Sequence, residues 1–181
     1  MSDPVFEGFL RQQLHDGVAL TSQSDLLDLT PLEIGDRPPR RYLAKFFCTG
    51  LVSDQKGNVS EASEFHVGIW FPSDYLRRVD PFQVLTWLHP SNVWHPNIGV
   101  GLCSSGTPPA ICAGRIVPGT ELIDLLYDLF EIITYRNWAP HDGLNPSACQ
   151  WARNNQKRFP TDSRPLKRRA LTLDVREMSE S

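Results

Sequence analysis

The 181-residue sequence lacks the features that would place a chain in or across a membrane. Its start, Met1-Ser2-Asp3-Pro4, has no basic stretch leading into an apolar one, and no apolar run approaches the ~18 residues needed to cross a bilayer. The expectation is a cytoplasmic protein. Cysteine is scarce: Cys48, Cys103, Cys112 and Cys149 stand without Cys-x-x-Cys spacing, which argues against a disulfide framework in a reducing compartment. The sequon Asn58-Val59-Ser60 carries no weight in such a chain. A dominant charge is missing too. The formal net charge is −3 and the pI near 5.9, with no basic stripe interleaved with aromatics, so nucleic acid is not an expected partner. The short cluster Lys167-Arg168-Arg169 reads as a solvated tail. Without repeats or a visible linker, this length suits one core, which can bury roughly 70% of the unfolded surface.

What is present is periodic apolar sequence in two registers. Phe6, Phe9, Leu10 and Leu14 recur at helical intervals, predicting an N-terminal helix over 4–16 that starts at Asp3-Pro4. Prolines interrupt residues 17–40, which read as a short edge strand and loop. Residues 41–52 predict a strand entering a hairpin through Gly57-Asn58, with 64–71 as its partner, where Phe65, Val67, Ile69 and Phe71 alternate. Phe82, Val84, Thr86 and Leu88 repeat the alternation and predict a third strand of an antiparallel meander. Prolines and glycines then crowd residues 90–119, a long irregular region that still contains Trp94, Ile98, Ile111 and Ile116. Such regions are functional when they are not disordered.

Pro118-Gly119-Thr120 opens a helix in which Leu122, Leu125, Leu126, Leu129, Ile132 and Ile133 share one side. Asn145-Pro146 marks another helix start, a capping side chain before a proline at the first helical position. The order of helix, meander, irregular segment and helices is α+β. The expected division is one domain over 1–160 and an extension over 161–181.

Phe71-Pro-Ser-Asp-Tyr75, Asp80-Pro-Phe82 with its strand, Trp94-His-Pro-Asn-Ile98, a downstream Ile111-Cys112, the long helix and Asp142-Gly-Leu-Asn-Pro146 occur together in this order. Over about residues 41 to 156 the sequence resembles the ubiquitin-conjugating enzymes. Ile111-Cys-Ala-Gly-Arg-Ile116, Pro118-Gly-Thr-Glu-Leu122, Tyr135-Arg-Asn137 and Leu144 to Arg153 resemble bacterial members that accompany a ubiquitin-like protein in antiphage operons. The resemblance implies the conjugating-enzyme fold, with a shortened C-terminal helical region because Pro160 and Pro165 interrupt the end of the chain. It also implies an activity: a ubiquitin-like modifier is accepted from an activating enzyme as a cysteine thioester and passed to a lysine of a protein substrate. A non-catalytic relative with the same fold, acting as a binding module, is the alternative. Neither cofactor nor metal is implied, and His95, Cys103 and Cys112 lack the close ligand pairs of a zinc site.

A thioester carrier needs an accessible thiolate, and an ordinary thiol is only about 3% ionised at pH 7. Cys48 falls in a core strand and Cys149 on a packed helix, so both read as structural. Cys112 has the family's Ile-Cys context and the helix that follows. Cys103 lies 8 residues after His95 and Cys112 lies 17 after it, and the family interval is nearer the shorter one, which leaves Cys103 as the alternative and makes residues 99–110 an insertion if Cys112 is the carrier. Asn97 matches the family's amide donor to the tetrahedral oxyanion, a role worth roughly 3 kcal/mol in a preorganised site. Asp142 matches the acidic position that orients the incoming amine and takes its proton, with His141 beside it as the alternative acceptor. His95 reads as a brace of its own loop.

Overall fold

A computed structural model describes residues 3–99, 108–138 and 143–168. It is α+β, with an N-terminal helix and an antiparallel sheet. Helix α1 spans Pro4–Thr21; the Asp3 carboxylate caps it by accepting from the Val5 and Phe6 N–H groups. It runs past residue 16 because Gly17 lies at a crossing rather than an end. A Cβ there would stand 2.7 Å from Leu29 Cδ2 and 3.2 Å from Leu122 Cδ2. Close packing against two elements outweighs the ~1 kcal/mol helix cost of glycine.

Strand β1, Leu27–Pro31, is the expected edge strand, and its proline sits where an unpaired N–H costs nothing. It pairs with β2, Arg41–Phe46, which pairs with β5, Phe65–Trp70, which pairs with β6, Leu85–His89, giving the order β1-β2-β5-β6. Tyr42, Ala44, Phe46, Phe65, Val67, Ile69, Leu85 and Trp87 point inward and join one core with the apolar side of α3, Leu122–Ile133.

Three sequence expectations change here. Residues 41–52 are not one strand. The chain leaves the main sheet after Phe46, and β3, Gly50–Ser53, pairs with β4, Val59–Ala62, in a sheet of its own. The register explains the break: Phe46 faces Phe65 but Gly50 faces Ala62, so three residues on one side span two on the other. Gly50 is required there, since a Cβ would lie 2.6 Å from the Phe65 ring and 2.9 Å from the Ile133 carbonyl. The third strand also starts later than its alternation suggests. Pro81–Val84 form a helical turn, α2, capped by Asp80, and the inward residues of β6 are Leu85 and Trp87, with Phe82 and Leu88 exposed. Apolar residues stand at both parities, and burial of the Trp87 indole, whose N–H donates to the Pro90 carbonyl at 2.8 Å, settles which parity turns in. Thirdly, α3 begins at Leu122, two residues beyond Thr120, and has no side-chain cap of its own; the Leu122 N–H is satisfied by Gln13 of α1 at 2.6 Å.

Helix α4, Pro146–Asn154, starts at the expected signal, with the Asn145 side chain accepting from the Ala148 N–H. A 3₁₀ turn, Gln156–Arg158, follows. The packed body does not stop at 160. Residues 159–168 form a strap in which Thr161 N–H donates to Thr134 O, and the Asp162 carboxylate accepts from the Thr49 N–H and from Arg164. Leu166 is buried in the core and Arg168 N–H donates to Gln23 O. Residues 161–168, the described part of the expected extension, thus pack against the body.

Candidate functional site

The irregular region is held by neighbours rather than by its own periodicity. Residues 92–94 run beside β3: Ser53 N–H donates to Asn92 O, Asn92 Nδ2 to Ser53 O, and Trp94 N–H to Leu51 O at 2.8 Å. That delivers the chain to His95-Pro96-Asn97 along a fixed line. On the far side, Asn145 N–H donates to Pro96 O at 3.2 Å, tying the turn to the start of α4.

Within the turn His95 is 1% exposed, and its Nδ1 accepts the Asn97 N–H at 2.9 Å. The ring proton therefore belongs on Nε2, which is buried without a hydrogen-bond partner among the described residues, as are Trp94 Nε1 and Asn145 Nδ2. Burial pushes the His95 pKa down to about 3. A neutral, enclosed ring with one nitrogen occupied is a brace and not an exchangeable base.

After the turn the chain doubles back. Ile98 and Ile111 form an antiparallel bridge, Gly99 N–H donates to Ala110 O, and Cys112 N–H donates to Asn97 O, the last two both at 2.8 Å. This short ribbon returns Cys112 to the turn. The buried Asn97 side chain donates from Nδ2 to the Cys112 carbonyl at 3.1 Å. Cys112 is a free cysteine, and the residue is partly exposed. Cys48 is also free, but it is fully buried; burial, reinforced by the nearby Asp162 carboxylate, pushes its thiol up to about 12. Cys149 is free and buried on α4. Asn97 and Cys112 are thus brought together from 15 residues apart in sequence. Cys103, His141 and Asp142 lie outside the described residues.

The sequence assigns no role to the residue beneath the turn. Tyr135, just past α3, has a backbone φ of +60°. Its ring meets the His95 imidazole edge-on with centroids 4.4 Å apart, its hydroxyl donates to the Trp94 carbonyl, and Phe159 stacks on it at 4.5 Å. With Leu51, Ala152, Trp138 and Trp151 it makes a small aromatic cluster apart from the main core. In sequence Tyr135 stands out only within Tyr135-Arg-Asn137, as part of the resemblance, and nothing there marks its role, since tyrosine at a helix end is unremarkable until its backbone is seen.

Among the described residues, no group of three or more His, Cys, Asp or Glu is placed to hold a metal ion. No described helix is long and apolar enough to cross a membrane. A cleft of about 600 Å³ lies between α1 and the 37–40 loop, lined by Phe6, Leu10, Arg37, Arg40, Ser73 and Arg77 among others, and shares no residue with the turn. Deep pockets suit small ligands; a thiol that serves a protein tail needs only an accessible surface, so the turn remains the better candidate. No protein-family model and no curated protein matches the chain.

Proposed function

We propose that the protein is a ubiquitin-conjugating-type enzyme with the conjugating-enzyme fold. It acts in the cytoplasm of a bacterium, in antiphage defence, and carries a ubiquitin-like modifier on Cys112. The observation that carries this reading is the pairing of Asn97 with Cys112, in which a side-chain amide donates to the backbone carbonyl of a free, partly exposed cysteine. The Cys112 thiolate attacks the carbonyl carbon of the modifier's activated C-terminus on its activating enzyme, and the C–S bond forms as the enzyme's thiolate leaves. A substrate lysine amine then attacks the thioester. Negative charge gathers on the carbonyl oxygen, the Asn97 amide stabilises it, the C–N bond forms, the C–S bond breaks, and the amine gives up a proton. In this reading Asp142 orients that amine and receives the proton.

The test is direct loading. Ubiquitin carrying a C-terminal alkyl thioester is mixed with the protein, and an adduct that disappears on reduction is sought. The expected result is an adduct in the wild type, lost in Cys112→Ala and retained in Cys48→Ala and Cys149→Ala. An adduct lost in Cys103→Ala but kept in Cys112→Ala moves the carrier to Cys103. If the wild type also fails to charge with a cognate modifier, activating enzyme and ATP, the binding-module alternative replaces this proposal.

A further inference from the structure

We propose that Tyr135 is a positioning residue for the Asn97 amide, locking the His95-Pro96-Asn97 turn to the end of α3. Its catalytic consequence rests on the conjugating-enzyme reading above. Tyr135 occupies the place where a helix usually ends in glycine. The Tyr135 and Arg136 N–H groups close the last turn of α3 on the Ile132 and Glu131 carbonyls at 2.9 and 2.8 Å, the pattern that puts a left-handed residue just past the helix. Among the described residues it is the one non-glycine residue with positive φ, a conformation disfavoured wherever there is a Cβ. Glycine would end the helix without that cost, so the side chain is what holds tyrosine there.

Its contacts show what that side chain does. The hydroxyl donates to the Trp94 carbonyl and the ring braces the His95 imidazole. These are the two residues that lead into Pro96 and Asn97. His95 passes the restraint on, because its Nδ1 holds the Asn97 N–H, and the Asn97 side chain lies on the Cys112 carbonyl. Phe159, stacked at 4.5 Å and 25° to the ring, limits its retreat. An aromatic filler alone would need no hydroxyl, and a buried hydroxyl is tolerated because it is paired.

Tyr135→Phe keeps the ring, the backbone and the stack and deletes only that bond. With ubiquitin alkyl thioester as donor and free lysine as acceptor, charging of Cys112 is expected to stay within about twofold while single-turnover discharge to lysine slows about tenfold, the weight of one buried hydrogen bond spent on alignment. Equal losses in both steps, or none in either, overturn the proposal. Leu129→Ala destabilises the main core away from the Tyr135 cluster; it is expected to lower Tm and leave the ratio of discharge to charging unchanged, and a fall in that ratio counts against a specific role for Tyr135. Amide hydrogen exchange needs no activity and no variant. In the wild type the Asn97 N–H is expected to be protected like the amides of α3, and in Tyr135→Phe to exchange about tenfold faster. Exchange at the rate of an open loop in the wild type overturns the bracing even where the protein charges, whereas protection without charging leaves the brace and removes only the conjugating-enzyme reading.

Discussion

The main core and the turn above the aromatic cluster are both buried, yet they are built on opposite terms. Between the sheet and α3 the contacts are apolar and many, and no single one sets the geometry. Around His95-Pro96-Asn97, hydrogen bonds of one direction set the geometry: Trp94 N–H to Leu51, Asn97 N–H to His95, Asn145 N–H to Pro96, Tyr135 hydroxyl to Trp94. The first region supplies free energy. The second spends some of it, in a left-handed tyrosine and in donors buried without partners among the described residues, and obtains a defined arrangement around Cys112.

That contrast predicts which changes alter stability and which alter chemistry. Leu129→Ala, in the fully buried middle of α3, is expected to cost about 3 kcal/mol, read from urea unfolding, with discharge per charged molecule within twofold of wild type. A larger kinetic than thermodynamic effect would show the two regions to be less separate than described. Asn97→Ala is the converse. It is expected to slow transfer to lysine on the order of 10²-fold while charging is largely retained; loss of charging to the same extent would make its role structural. Asp162→Asn tests the strap, where one carboxylate answers both Thr49 and Arg164, and is expected to cost about 2 kcal/mol at pH 7 with no change in either step.

Acidification separates the regions by pH. His95 holds its proton affinity far below the ordinary value in the folded state, about 3 against 6.5, so the unfolded chain takes up a proton first. This contribution to stability is complete above about pH 6.5 and is lost as pH falls below that. His95→Gln is expected to flatten this limb between pH 6 and 4.5 in urea titrations. The Asp162 carboxyl is held below the usual range, chiefly by its hydrogen bonds from Arg164, so its contribution is full above about pH 4 and fades only below it. Asp162→Asn should leave the higher limb intact.

The same contrast explains what could be read from sequence. Where many residues repeat one relation to the core, periodicity exposes it: the alternation of Phe65, Val67 and Ile69 and the apolar side of α3 are both found as expected. Local chemistry is equally legible, as in the caps at Asp3-Pro4 and Asn145-Pro146. The parity of β6 was not, because Val84, Leu85, Trp87 and Leu88 are all apolar and only packing of the indole chooses between them. The break after Phe46 depends on a one-residue mismatch between two distant segments, which no window of sequence contains. At the site, His95-Pro96-Asn97 and Cys112 were singled out by resemblance and context, and their approach through the 98–111 bridge is visible only in the fold. The place of Tyr135 beneath the turn was not legible, because its conformation runs against its residue type.

The strap has a consequence for how the protein is made. Arg168 bonds to Ser22, 146 residues earlier, and Thr161 to Thr49, 112 residues earlier. Synthesis runs from the N-terminus, so α1, both sheets and α3 emerge before the segment that fastens them together. Until then the Thr49 N–H lacks its carboxylate and the Leu166 site in the core stands uncovered. The nascent domain must wait for its last turn of chain, and in that interval it is most open to proteases and to wrong partners.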